Sequence, residues 1–174
     1  MRTTVKPKSA AHHRRWVLRL FEWGVITCII AVLCGVFLNR MGRAQAMIER
    51  QNFLTTVSAM QTAALLQSVM RPQEVAPGDN PAEVYHNQFG LLPAGYVGEP
   101  DRPDPAAVAG GDWYFDKGDK RLVYRVRSTG YFRSRLPGAA RIRMQLARQA
   151  DSDRLTVNVL DDGEWTVGGK DSIQ

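Results

Sequence analysis

Hydrophobic positions fill one stretch of the chain without interruption. Trp23 to Leu38 are sixteen consecutive uncharged residues. Extending the stretch back to Leu20 gives 19 residues, which as a helix would be about 28 Å long, close to the thickness of the hydrocarbon core of a bilayer. The pattern therefore predicts a transmembrane helix over residues 20–38.

The pattern then changes without any helix breaker, so we expect residues 39–70 to continue the same helix. This segment has no proline and one glycine, and Pro72 should end the helix. Its apolar residues recur at mostly three- and four-residue steps, as in an amphipathic helix. The predicted stripe is Met41, Ala44, Ile48, Leu54, Val57, Met60, Ala64 and Val69. It would pack under a sheet or, alternatively, form a coiled-coil seam with another anchored protein.

The rest of the chain predicts a loop followed by strands. Residues 71–111 are rich in proline and glycine, which indicates a long connection. Residues 112–174 contain short runs in which apolar and polar residues alternate, as in "RLVYRVR" and "ARIRMQLAR". "RLTVNVLDDGEWTV" predicts a hairpin with its turn at Asp162 and Gly163. The predicted fold class is α+β, with the long N-terminal helix packed on an antiparallel β-meander of four or five strands.

Charge is concentrated ahead of the apolar stretch. Residues 1–19 hold six of the 23 basic residues and no acid, which leaves 17 basic against 17 acidic residues in the remainder. A basic tail before a span predicts a cytoplasmic N-terminus, whereas a nucleic-acid-binding protein should carry its excess charge on the folded domain. We therefore expect a single-pass membrane protein with residues 1–19 in the cytoplasm, the C-terminal domain on the other side of the membrane and no nucleic-acid partner.

The residues give no sign of an enzyme or a cofactor. No nucleophile elbow, paired metal-ligand motif or phosphate-binding glycine loop is present in the sequence. Asp112, Asp116 and Asp119 lie in "GDWYFDKGDK", but they lack the spacing of a calcium loop and are better interpreted as turn formers. Trp113, Phe115, Tyr124 and Trp165 fall at strand positions and are expected in the core. Neither a metal nor a cofactor is expected.

Arginines mark the other face of the predicted strands. Arg125, Arg127, Arg141 and Arg143 alternate with apolar residues, so they should point away from the core. They could form a solvated face balanced by nearby acids, or a candidate docking face for an acidic neighbour. Both interpretations remain open on the sequence alone.

A long N-terminal helix with a glutamate near its start, laid on an antiparallel sheet, resembles type IV pilins and type II secretion pseudopilins. "NPAEVYHNQFGLLPAGYVGEP" followed by "GDWYFDKGDKRLVYRV" is similar to the loop and first hairpin of pilin-like assembly proteins of mannose-sensitive haemagglutinin (MSHA) pilus systems. The resemblance covers about residues 20–130. The strand following it carries no comparable motif.

One position departs from that family. Pilin precursors carry a glycine just before the cleavage point, and aligning the family glutamate with Glu22 places Val17 there. The resemblance therefore implies an uncleaved relative that is retained in the bacterial inner membrane, with its C-terminal domain in the periplasm. In the family this glutamate is thought to pair with the terminal amine of a neighbouring subunit. Arg19, three residues away on one helix face, offers Glu22 a local partner instead.

Two functions follow as expectations. The first is a non-enzymatic, pilin-like structural or assembly component of a type IV (MSHA-like) pilus or a type II secretion machine. Its partners would be other pilin-like subunits or assembly-platform proteins in a hetero-oligomeric assembly. The alternative is a single-pass envelope scaffold or adaptor whose periplasmic domain binds a protein partner outside such machines.

Overall fold

One long helix precedes a set of short strands. The computed structural model describes residues 10–101, 103–149, 154–161 and 163–167. The chain divides into two compact units, Met1–Gly42 and Arg43–Gln174. Two helices and a single 3₁₀ turn (Thr129–Tyr131) lie among the described residues, together with six strands. In chain order the helices and strands are α1 (Ala10–Met70), α2 (Pro81–Phe89), β1 (Trp113–Asp116), β2 (Arg121–Arg125), β3 (Phe132–Arg133), β4 (Arg141–Arg148), β5 (Leu155–Val159) and β6 (Glu164–Trp165).

The prediction of a single helix that runs on past the apolar stretch is confirmed. Helix α1 has 61 residues and ends at Met70, two residues before Pro72. The described side chains between Arg19 and Leu38 are all exposed. The most apolar part of this segment has a mean hydropathy of 2.2 and none of it is buried, so α1 is long and apolar enough to cross a membrane. Of the basic tail, Arg2, Lys6 and Lys8 lie outside the described residues.

The predicted stripe on the second half of α1 is only partly correct. Val57, Met60 and Ala64 are buried as expected, but Ile48 is 60% and Val69 67% exposed. Met41 and Ala44 are exposed as well. Most of the buried side chains recur at steps of three, four and seven, which keeps them on one helix face, and Ala63 is buried beside Ala64. The buried residues are Ala46, Phe53, Val57, Met60, Ala63, Ala64 and Gln67.

The main sheet follows the predicted antiparallel pattern, with a different topology. Its strand order is β1-β2-β4-β5, and each neighbouring pair is antiparallel. Strand β4 alternates as predicted, with Ile142, Met144 and Leu146 buried. Because β3 lies between β2 and β4 in the chain but pairs with β6 in a separate two-stranded sheet, the arrangement is not a simple meander.

The predicted hairpin around Asp162 and Gly163 is wrong. Strand β5 pairs with β4, whereas β6 pairs with β3 through Phe132 opposite Trp165. Gly163 lies directly against the Phe132 ring, where a side chain would collide with it. Glycine is therefore needed for close packing, and the chain turns away from β5 towards the second sheet. Asp162 lies outside the described residues.

The predicted long loop contains a helix of its own. Helix α2 begins after Asn80, whose side-chain oxygen accepts a hydrogen bond from the Ala82 N–H at 2.9 Å. Pro81 occupies the first turn, and Gly90 ends the helix with φ of 74°. An asparagine cap, a proline in the first turn and a glycine just past the end are the usual signals of a helix start and end. These signals were overlooked because the many prolines and glycines of residues 71–111 indicated a loop.

The core of the second unit forms where α1 meets the main sheet. Trp113, Phe115, Tyr124 and Trp165 are all buried, which confirms their predicted place. Phe53 of α1 stacks on Trp113 with ring centres 5.6 Å apart, and its ring lies 5.2 Å from that of Tyr124. This aromatic cluster (Phe53, Trp113 and Tyr124) is the central contact between helix and sheet.

Candidate functional site

The two residues predicted to act in the membrane segment lie on the surface of α1. Both Arg19 and Glu22 are exposed. Their spacing would allow an ion pair along the helix, yet none joins these two side chains in the part of the chain that the structure describes. Both charged groups are therefore exposed, and they are not paired with each other.

Glu49 of α1 binds the sheet directly. One of its oxygens, Oε1, accepts hydrogen bonds from the Tyr124 hydroxyl at 2.9 Å and from the Arg127 N–H at 2.6 Å. The other, Oε2, accepts the Ser128 N–H at 2.8 Å. A carboxylate that accepts two backbone N–H groups makes strong, charge-assisted hydrogen bonds. Glu49 therefore fixes the chain just after β2 to the helix.

The same contact places a phenol in an apolar setting. Tyr124 is 5% exposed, and burial, followed by the nearby charge of Glu49, raises the pKa of its hydroxyl. The hydroxyl therefore remains a hydrogen-bond donor throughout the physiological range. This contact could not be predicted from local sequence patterns, because the two N–H groups belong to residues 78 and 79 positions away from Glu49.

A second polar cluster, Asn80, Tyr96, Glu99 and Lys117, connects the start of α2 to the sheet. The amide nitrogen of Asn80 donates to Tyr96 Oη at 2.7 Å and to Glu99 Oε1 at 2.6 Å. Lys117 lies 3.2 Å from the other oxygen of Glu99. The hydrogen bond from Asn80 lowers the pKa of Glu99, and Lys117 adds to the effect. Burial raises the pKa of Tyr96 to about 12.

Glu83 lies next to this cluster, and its pKa is shifted in the opposite direction to that of Glu99. Burial raises the pKa of Glu83, and the charge of Glu99 raises it further. The two carboxylates border an open cavity of about 350 Å³ that is also lined by Lys117, Lys120 and Phe115. The cavity walls carry both signs of charge. No group of three or more metal-ligating side chains suited to a metal ion occurs among the described residues.

Of the three acids predicted to form turns in the first hairpin, only Asp116 uses its carboxylate in this way among the described contacts, whereas the Asp119 carboxylate lies 3.6 Å from Arg121. Asp116 Oδ1 accepts the Gly118 N–H at 2.9 Å and the Asp119 N–H at 3.3 Å. These bonds close the turn between β1 and β2. The third predicted acid, Asp112, precedes β1, and its backbone oxygen accepts the Arg125 N–H at 2.9 Å.

The four arginines predicted as a docking face differ in their surroundings. Arg143 forms a forked ion pair with Asp161, the shortest N–O distance being 2.7 Å. Arg127 is exposed, and its Nε donates to the Gly110 oxygen at 2.8 Å. Arg125 and Arg141 lie directly opposite each other on β2 and β4. The face is thus divided into one neutralised arginine, one bound to a loop carbonyl and one opposed pair.

Comparison with known proteins yields no relative. No family model, no curated protein and no solved structure matches this chain. Assignment of a function therefore depends on the residues and contacts described above.

Proposed function

We propose that this chain is a non-enzymatic, membrane-anchored, pilin-like structural or assembly component of a type IV (MSHA-like) pilus or a type II secretion-type machine. One observation carries the proposal. A single helix exposes its apolar first part and uses its later part as the core element of an α+β unit.

The exposed apolar part of α1 supports a membrane location on energetic grounds. Residues such as Phe21, Leu33 and Phe37 are 63–70% exposed. Each buried side chain of this size contributes about 1.5–3 kcal/mol when it is removed from water. A segment of this length with so much apolar surface is typical of a membrane span. The basic residues ahead of it favour a cytoplasmic N-terminus and a periplasmic second unit.

Glu22 supports a role in assembly. At the end of the span a carboxylate costs little on insertion, but one drawn into the lipid is costly without a partner, and Glu22 has no ion-pair partner among the described residues. A positively charged group on a neighbouring pilin-like helix would supply one. Association through Glu22 would then be selective, because an uncharged neighbour would leave the carboxylate unpaired.

The second candidate is a single-pass envelope scaffold or adaptor that binds a protein outside such machines. It is favoured by Val17, which stands where a processed pilin precursor would carry glycine. A protein that keeps its basic tail would remain in the inner membrane. Both candidates share the anchor, the orientation and the absence of catalysis, and they differ in the partner.

Crosslinking in detergent-solubilised membranes distinguishes the two. We expect Glu22→Ala to reduce the recovery of pilin-like partners while insertion and abundance stay near wild type, because the residue lies at the end of the span. Arg19→Ala is the matched control that removes the nearest opposite charge. If Glu22→Ala leaves recovery of pilin-like partners unchanged, Glu22 has no intermolecular role. If the wild type recovers no pilin-like protein at all, the adaptor function replaces the first proposal.

A further inference from the structure

We propose that Arg125 and Arg141 form a docking site for the carboxylate side chains of an acidic segment in a partner protein. This inference rests on the proposed function, since it names the chemistry by which the second unit would hold its partner. The site is called the arginine pair below.

The two arginines are brought together by strand register. Arg125 of β2 and Arg141 of β4 are direct cross-strand partners, as are Tyr124 and Ile142 beside them. Because Ile142 and Tyr124 face the core, the neighbouring arginines both point to the other side of the sheet. Like charges directly opposite each other destabilise a sheet. A carboxylate bound between the two guanidinium groups would remove that repulsion.

Each guanidinium is held in place by one edge only. Nη1 of Arg125 donates to the Ala140 oxygen at 2.6 Å. Nη1 of Arg141 donates to the oxygens of Pro137 and Ala139 at 3.0 and 3.2 Å. Nε of Arg125 is buried without a partner, and Nη2 of neither arginine has a hydrogen bond to the described residues. Nη2 is thus the group that each arginine has left for a partner.

Nearby acids do not neutralise the pair. Asp104 and Asp116 lie close enough to act, with both arginines, on the pKa of Tyr114. Their carboxylates are used in turns, however: Asp104 accepts the Ala106 N–H at 2.9 Å, and Asp116 closes the β1–β2 turn. Neither forms an ion pair with the arginine pair among the described residues.

Three other arginines of the two sheets already lie beside a carboxylate. Arg143 is bound to Asp161, Arg121 lies 3.6 Å from Asp119, and Arg133 lies 4.0 Å from Glu164. The arginine pair is therefore a local excess of two charges on a unit that is otherwise close to balance.

The chemistry favours a protein carboxylate over a lipid headgroup. Lipid-binding clusters usually contain about four to eight basic residues, whereas this site has two. The forked shape of a guanidinium matches a carboxylate in a two-bond geometry. Tyr114 and Val123, which are cross-strand partners on the same sheet face, are only 2% and 3% exposed, so a partner would be recognised by the charges of the pair rather than by apolar contact.

The test uses the full chain in zwitterionic lipid nanodiscs and a labelled peptide that carries four consecutive glutamates. A peptide with glutamines in their place is the probe control. We expect Arg141→Gln to weaken glutamate-peptide binding at least about fivefold, the effect of losing a charge-assisted fork. Arg141→Lys, which keeps the charge but lacks the fork, should bind with intermediate affinity. Fluorescence anisotropy near physiological ionic strength gives the dissociation constants.

Arg133→Gln is the matched control, because it removes the same charge from an exposed arginine outside the pair and should leave binding nearly unchanged. Thermal melting of each variant shows whether it is folded, so that a loss of peptide binding is not mistaken for unfolding. Equal weakening by Arg133→Gln and Arg141→Gln, or no preference for the glutamate peptide in the wild type, would overturn the proposal. So would binding to phosphatidylglycerol vesicles that depends on the arginine pair while peptide binding does not. None of these three outcomes would change the Glu22 crosslinking result, so the proposed function is tested separately.

Discussion

Glu49 shows how one side chain can join a helix to a sheet. Its carboxylate accepts three hydrogen bonds, two of them from backbone N–H groups. Glu49→Ala would leave those groups without acceptors, so we expect it to lower the free energy of unfolding by about 1–3 kcal/mol. Denaturant titration of the full chain in detergent, followed by tryptophan fluorescence, measures the change.

The matched control is Glu74→Ala. That glutamate pairs with Arg71 at 3.2 Å, but both side chains are more than half exposed, so its removal should cost less than about 0.5 kcal/mol. Equal effects of the two substitutions would mean that Glu49 acts only through its charge.

Glu83 predicts a pH dependence of the opposite sign to that of Glu99. The pKa of Glu83 is raised from its ordinary value of 4.5, so the folded state binds the extra proton and stability falls as pH rises through that interval. Glu83→Gln should therefore stabilise the protein at neutral pH. The helix dipole partly favours an acid at this position, and the side chain is exposed, so the gain should be at most about 0.5 kcal/mol.

Glu99→Gln provides the comparison. The pKa of Glu99 is lowered, so its contribution to stability is present above the ordinary value and lost as pH falls through the folded value. This variant should be less stable than the wild type at neutral pH, and the difference should shrink in acid. Melting temperatures of both variants across the acidic range test the assignment. A parallel response of the two variants would show that the carboxylates are not held in opposite environments.

At the scale of elements, a prediction follows from which face of α1 is buried. Phe53 is 1% exposed in the aromatic cluster, whereas Ile48 is 60% exposed. Phe53→Ala should destabilise the second unit by about 3–5 kcal/mol. Ile48→Ala, which removes a residue of the stripe expected from sequence, should stay within about 0.5 kcal/mol. Thermal unfolding monitored by near-ultraviolet circular dichroism compares them, and the reverse order of effects would exclude the observed packing.

The elements also show what sequence reasoning can reach. The continuity of α1, its end at Met70 and the alternation in β4 follow from helix breakers and a strict two-residue period, which are local signals. The phase of the buried stripe was missed because Met41 and Ile48 are as apolar as the residues that the sheet covers. Only partners distant in the chain decide which face is buried. Glu49 was missed for the same reason.

The pairing of the strands could not be predicted from local sequence signals. The dipeptide at Asp162 and Gly163 is a strong local turn signal, yet the turn does not fold β6 back onto β5. The contact between Gly163 and the Phe132 ring links segments 31 residues apart. From the sequence, the four arginines were interpreted together, as either a solvated face or a docking face. Strand register and the ion pair of Arg143 separate them into distinct environments.

At the scale of the molecule, the proposed orientation makes a direct prediction. A reporter that is active only in the periplasm should be active when fused after Met70 and inactive when fused after Arg15. The basic tail retained on the cytoplasmic side gives this order. Reporter activity in whole cells, corrected for protein level, provides the measurement. The opposite pattern would contradict the orientation, and equal activity at both sites would contradict a single span.

The aromatic cluster also has a consequence in time. Phe53 is made 60 residues before Trp113 and 71 residues before Tyr124, the two rings that cover it. At about 5–20 residues per second, synthesis of the later ring takes roughly 4 to 14 s longer. Once Gln67 has been made, the face of α1 that will become the core is complete, but it stays uncovered until those rings follow. During these first seconds the sheet cannot protect that face, so something else must keep its apolar side chains from non-native contacts.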